Sequence, residues 1–102
     1  MRIPIGDEAL ARLVIDLLRE WVEDEVGFTA YDVTRQLRKD RPHFDIPHLL
    51  VRGCVHRFMQ PVVSRGLYEH SMKRFGMSSA LFYQPRCEGS WQTTIPLLRL
   101  DS

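Results

Sequence analysis

The first quarter of the chain carries apolar residues at intervals of three and four positions. Such spacing places one apolar stripe along a helix, and it predicts a first helix from about Asp7 to Glu25. The stripe consists of Leu10, Leu13, Val14, Leu17, Leu18, Trp21 and Val22. Asp7 suits the N-cap position and Gly27 suits the stop. The charged residues lie off the stripe, which favours a core helix with a solvated acidic face. The alternative is a dimer surface around Ile15.

A second helix begins at a capping signal. Thr29 and Asp32 have the spacing of a capping box, and Phe28 and Val33 occupy the two positions of a hydrophobic staple. The helix is predicted from Ala30 to about Lys39. Its inward positions are Ala30, Val33, Thr34 and Leu37.

A third helix is predicted from Asp45 to about Ser64. Pro47 falls in its first turn, where a missing N–H is tolerated, and Gly66 follows its end. At about 100° per residue, the predicted buried face consists of Pro47, Val51, Cys54, Val55, Phe58 and Val62. The opposite face consists of Leu49, Arg52, Gly53, His56, Arg57 and Gln60. Gly53 either permits close approach of another backbone or is simply tolerated.

Residues 67–75 and 80–84 predict two strands, because aromatic residues are frequent there, and residues 76–79 predict a hairpin loop. The expected fold is mainly α with a small β-hairpin, an α+β domain that spans residues 1–85. Residues 86–102 form a tail. We expect it to dock on the domain or on a second subunit, because it contains Trp91, Ile95, Leu97, Leu98 and Leu100.

The charge of the chain is unevenly distributed, although the total is only +1. Residues 35–74 contain nine Lys/Arg and three acids, whereas residues 1–34 contain three Arg and eight acids. A basic half built from two helices and a hairpin indicates a nucleic-acid-binding surface.

Size and composition limit the other functions. A chain of 102 residues forms one domain with a modest core, which favours a binding module. No apolar run approaches the ~20 residues of a membrane helix, and the first residues lack the apolar region of a signal peptide. Cys54 and Cys87 lie far apart outside any CxxC motif. We expect both to be reduced and the protein to be cytoplasmic, although pairing of the two stays open.

The sequence shows no nucleophile elbow, P-loop, dinucleotide fingerprint or zinc-protease helix. The histidines, His43, His48, His56 and His70, lie on different elements, so a metal site would need accidental convergence. We therefore expect a binding protein without enzymatic activity, cofactor or metal.

The order helix, short connection, helix, turn, helix and two-stranded wing resembles the winged helix-turn-helix superfamily over residues 7–85. The segment FTAYDVTRQLR, from Phe28 to Arg38, looks like the start of the helix-turn-helix. The turn from Lys39 to Asp45 is longer than the three or four residues of that motif. The resemblance implies a three-helix core plus a wing. It also implies a double-stranded DNA-binding protein, a small transcriptional regulator, that forms a homodimer through the first helix or the tail.

The resemblance further implies which residues meet DNA. Helix 45–64 would enter the major groove, and Arg52 is the best candidate for a bidentate contact to guanine. Base edges would be contacted by His48, Arg52, His56 and Arg57. Phosphates would be contacted by Arg35, Arg38, Lys39, Arg41, Lys73 and Arg74. Leu49 either contacts a thymine methyl group or is an ordinary exposed residue.

Two other interpretations stay open. The pI of about 7.9 is lower than the value above about 9 that is frequent in DNA-binding domains, which favours a winged helix that binds another protein. A large apolar patch over the third helix would support that function, whereas a basic stripe from Arg38 through Arg52 to Arg74 would support DNA binding. Alternatively, the acidic first helix pairs with the basic half of a second subunit.

Overall fold

The computed structural model describes residues 2–86, in which three helices are followed by a β-hairpin. The helices are α1 (Asp7–Glu23), α2 (Ala30–Asp40) and α3 (His48–Ser64). The hairpin consists of β4 (Tyr68–Phe75) and β5 (Ser78–Pro85), and three short strands are β1 (Ile3–Pro4), β2 (Phe28–Thr29) and β3 (Phe44–Asp45). This confirms the α+β class. The predicted docking of the tail, and the state of Cys87, lie outside the described residues.

The strands form two small sheets. An antiparallel sheet has the order β2-β5-β4, and β1 pairs in parallel with β3. Phe28 of β2 lies opposite Tyr83 of β5. The three short strands were not predicted, because segments of two residues carry no periodic signal.

The core lies between the helices and the inner face of the antiparallel sheet. The two longest helices contribute one buried side chain per turn: Leu10, Val14, Leu18 and Val22 from α1, and Val51, Val55, Met59 and Val62 from α3. The sheet adds Phe28, Tyr68 and Tyr83, which are also buried. Tyr68 Oη donates to the carbonyl oxygen of Val26 at 2.7 Å, so the sheet is tied to the chain just after α1.

The start of α2 confirms the predicted capping box. The Thr29 amide donates to Asp32 Oδ2 at 2.9 Å, and the Asp32 amide donates to Thr29 Oγ1 at 3.3 Å. Each of these bonds satisfies an N–H that the first turn of a helix leaves without a partner. The contact is local in sequence, which is why the spacing alone revealed it.

Helix α1 begins at Asp7 as predicted, but its N-cap residue and its C-terminal end differ from the prediction. Gly6 is the N-cap, and Asp7 is the first helical residue. The helix ends at Glu23 in a Schellman motif, in which the Val26 amide donates to the carbonyl of Trp21 and Glu25 adopts a φ of 58°. Gly27 is therefore not the stop. A Cβ at Gly27 would come within 2.9 Å of the Phe82 ring, so a side chain there would have to displace that ring.

The third helix begins at His48, after the predicted start at Asp45. Asp45 belongs to β3, where it pairs with Pro4, and Pro47 disfavours helical backbone at the residue before it. Val51, Val55 and Val62 are buried as predicted, and Met59 joins them. The other three predicted core positions, Pro47, Cys54 and Phe58, are only half-buried.

The hairpin turn has two residues, Gly76 and Met77, and not the four that were predicted. Gly76 has a φ of 64°, which suits glycine at the first position of a two-residue turn. Residues 69–74 and 76–79 are exposed, whereas Tyr68 and Tyr83 near the base of the hairpin are buried. The outer half of the hairpin therefore projects from the body of the domain.

Candidate nucleic-acid interface

Two adjoining hollows separate α3 from the hairpin, and we call them together the α3–hairpin groove. The larger has a volume of about 640 Å³ and is lined in part by Gly53, His56, Arg57, Gln60, His70 and Tyr83. The smaller has a volume of about 310 Å³ and is lined in part by Tyr31, His48, Arg52, His56, Met72, Leu81 and Tyr83. Because His56 and Tyr83 line both hollows, the groove is continuous along one side of α3.

The groove is free of acidic side chains among the described residues that line it. Helix α3 contributes two Arg and two His and contains no Asp or Glu. The outer hairpin adds exposed Lys73 and Arg74. The exposed surface of α1 has the opposite character, with Asp7, Glu8, Asp16, Glu20 and Glu23. The structure therefore places the two arginines of α3 in an acid-free groove and the acids of α1 on an exposed surface of their own.

His48, at the start of α3, is fixed by two residues of α2. Its Nδ1 lies 2.8 Å from Thr34 Oγ1. Its ring stacks on Tyr31, with 4.2 Å between the ring centroids and 11° between the ring planes. Burial lowers the pKa of His48, and the positive charges of Arg52 and Arg38 lower it further. The imidazole is therefore neutral at neutral pH.

Tyr83 orients His56 in the centre of the groove. The Tyr83 hydroxyl lies 3.0 Å from His56 Nδ1, and burial raises the pKa of Tyr83, so the hydroxyl stays protonated. His70 pairs with Tyr83 across the hairpin and packs against its ring at 6.0 Å. Arg52 and Arg57 are exposed on α3, and they line the smaller and the larger hollow, respectively.

The predicted phosphate contacts of α2 lie in different surroundings. Arg38 donates from Nε and Nη2 to the carbonyl oxygen of Ile46, at 3.2 and 2.9 Å, so it fastens the connection between α2 and α3. Arg35 forms an exposed ion pair with Asp32 at 3.4 Å. Lys39 is exposed near the end of α2. Arg41 lines a separate hollow with Arg12 and Asp16 of α1, so the structure does not bring it to the groove.

The hairpin cations, Lys73 and Arg74, do not line either hollow of the groove. Lys73 Nζ lies 4.0 Å from the centroid of the Phe82 ring, a cation–π contact that directs the ammonium group across the sheet. Arg74 is exposed on the same strand, near the turn. Because side chains alternate along a strand, Lys73 lies on the face of the hairpin opposite to Met72 and Tyr83, which line the groove.

Sequence reasoning missed Tyr31, His70 and Tyr83 as parts of the site. A loop of four residues would have set His70 opposite Pro85, whereas the two-residue turn sets it opposite Tyr83. The sequence feature that indicates the correct register is the glycine at position 76, because glycine suits the first position of a two-residue turn. Tyr31 gave no signal, because its stacking on His48 depends on the packing of α2 against α3.

Comparison of the chain with protein-family models, with curated proteins and with solved structures gave no match. Across residues 2–86, no three His, Cys, Asp or Glu side chains come together as metal ligands. In the same part of the chain, no helix combines the length and the apolar character needed to cross a membrane.

Proposed function

We propose that this protein binds double-stranded DNA through the α3–hairpin groove, as a small transcriptional regulator of the winged-helix type. The observation that carries the proposal is a groove between one face of a helix and a projecting hairpin, whose described lining residues include no acid. The order of the helices, and the hairpin beside the third of them, support the winged-helix type.

The dimensions and chemistry of DNA suit this surface. The major groove is about 12 Å wide and admits one α-helix, and the exposed first turns of α3 carry His48 and Arg52. Arg52 is the donor for guanine O6 and N7. Phosphate oxygens are met by Lys73 and Arg74, while Arg38 acts by fixing the approach of α3.

Protein binding is a second candidate, favoured by one observation. Leu49 and Leu50 on α3 are 69% and 45% exposed, and Met72 across the groove is 65% exposed. Contiguous apolar surface of this kind marks protein–protein sites when it is large. On DNA, Leu49 would instead contact a thymine methyl group.

The proposal is tested by fluorescence anisotropy of a labelled mixed-sequence duplex at two salt concentrations. We expect micromolar binding that weakens steeply with salt, because cations that neutralise phosphates release counterions. Absence of binding at low salt would favour the protein-binding candidate.

Selection of preferred sites from random duplexes then tests base reading. A homodimer would select two inverted half-sites about 10 base pairs apart. Arg52→Ala is expected to cost about 1–3 kcal/mol and to relax one base position. An equal loss on all sequences would leave Arg52 only a phosphate role.

A further inference from the structure

We infer that His48 determines specificity by presenting an unprotonated Nε2 to the major groove, and that it selects a base with an exocyclic amine, adenine or cytosine. The inference rests on the proposed DNA-binding function. It adds that His48 accepts a hydrogen bond from the base and does not donate one. This direction follows from the contacts of His48 with α2.

The direction of the hydrogen bonds is set by Thr34. Its hydroxyl has one hydrogen, and Oγ1 lies 3.0 Å from the carbonyl oxygen of Ala30 and 2.8 Å from His48 Nδ1. A carbonyl only accepts, so the hydroxyl hydrogen points to Ala30. Oγ1 then accepts from His48, which places the ring hydrogen on Nδ1. In the reverse arrangement the Thr34 hydroxyl would donate to His48 Nδ1. That would leave Thr34 Oγ1 and the Ala30 carbonyl oxygen 3.0 Å apart with no hydrogen between them, and the two oxygens would repel.

In the neutral ring, a hydrogen on Nδ1 leaves Nε2 as an acceptor. Nε2 points away from Thr34, and the stack on Tyr31 fixes the plane of the ring. The charged and titratable groups around His48 are Arg38 and Tyr31 of α2, Arg52 and His56 of α3, and Tyr83 of β5. None of these is an acid that would favour the protonated imidazolium.

Base edges in the major groove distinguish an acceptor from a donor. Adenine N6 and cytosine N4 are donors, whereas guanine N7 and O6 and thymine O4 are acceptors. Neutral His48 therefore accepts from adenine or cytosine. Arg52 lies four residues further along α3, about 6 Å at 1.5 Å per residue, which is about two base-pair steps of 3.4 Å. The expected site thus has a guanine within about two steps of an amine-bearing base.

The experiment uses the full chain and the selected duplex, with the adenine at the His48 position replaced by purine, which lacks only the amine. A duplex with 7-deazaadenine at that position is the control, since it keeps the amine. At about pH 7.5 the wild type should bind the purine duplex ~3- to 10-fold more weakly, the range of one hydrogen bond. His48→Ala should bind the purine and adenine duplexes equally. If cytosine is selected, its analogue without the N4 amine replaces purine.

Acidification provides a second readout. At a pH below the lowered pKa of His48 the imidazolium donates from Nε2, so the wild type should lose its preference for the amine as the pH falls through that value. His48→Gln, whose amide oxygen accepts at both pH values, should keep it. Thr34→Val should weaken the preference at pH 7.5, because Nδ1 loses its acceptor. Thermal melting of each variant separates these effects from unfolding.

The outcomes distinguish a failure of the proposed DNA-binding function from a failure of the inference about His48. If no duplex binds at low salt, the DNA-binding function and this inference both fail. If duplexes bind with a steep salt dependence but His48→Ala discriminates as the wild type does, the inference alone fails. A wild-type preference for guanine or thymine at the His48 position at pH 7.5 would also overturn it.

Discussion

Helices α1 and α3 have the same length and similar inner faces but opposite outer faces. Each has 17 residues and one buried apolar side chain per turn. Each also ends in a Schellman motif, at Glu25 and at Gly66. On the outside, α1 exposes acids whereas α3 contains none. Because the inner faces suffice for packing, the outer charge is not required by the fold, and it is the property on which the proposed DNA binding depends.

The largest expected effect tests the similarity of the inner faces. Leu18→Ala in α1 and Met59→Ala in α3 should each lower the free energy of unfolding by about 2–5 kcal/mol, because each leaves a cavity in the shared core. Urea denaturation measures both. The exposed Leu49→Ala serves as a control and should change the value by less than about 0.5 kcal/mol. If only one of the two core variants lost little free energy of unfolding, the inner faces of α1 and α3 would not contribute equally to the core.

The second prediction tests the difference between the outer faces. Reversing two exposed cations of α3, Arg52→Glu with Arg57→Glu, should weaken DNA binding by on the order of 2–4 kcal/mol. The matched variant on α1, Arg12→Glu with Arg19→Glu, makes the same change in net charge. Anisotropy at a fixed salt concentration should show less than about a threefold change for it. Equal losses of DNA affinity in the two double variants would mean that binding depends on the net charge of the protein and not on the position of the arginines.

The third prediction uses the helix ends. A non-glycine residue in the left-handed region costs about 1–2 kcal/mol, and Glu25 has a φ of 58° there. Glu25→Gly should therefore stabilise the protein by about 0.5–1 kcal/mol, whereas Gly66→Ala should destabilise it by about 1 kcal/mol. Chemical denaturation measures both. If both substitutions stabilised the protein, or both destabilised it, the two helix ends would not share the same preference for glycine.

The smallest effect concerns the pH dependence of stability. The pKa of His48 is lowered in the folded protein, so between the folded value and about 6.5 the unfolded chain binds more protons. Stability is thus full above about pH 6.5 and declines as the pH falls towards the folded value. Denaturation of wild type and His48→Gln at several pH values isolates this contribution. The same slope in both proteins would assign the decline to other groups.

Signals that act over a few residues were readable from the sequence, and contacts between distant elements were not. The Thr29–Asp32 capping box and the apolar stripe of α1 were both predicted correctly. The start of α3 was placed too early, because β3 pairs with β1 far away in the chain. For the site, the resemblance to winged helix-turn-helix domains, applied to the outward face of the third helix, gave His48, Arg52, His56 and Arg57 as candidates. Their orientation by Thr34, Tyr31 and Tyr83 depends on tertiary packing and hairpin register.

The pairing of β2 with β5 also has a consequence for the order of folding. These strands are separated by α2, α3 and β4, and closing a loop of that length carries an entropic cost that local helical contacts avoid. During synthesis all three helices emerge before the strand that completes the groove. A nascent chain halted before Ser78 would already contain α1, α2 and α3, yet it would lack the strand that completes the α3–hairpin groove.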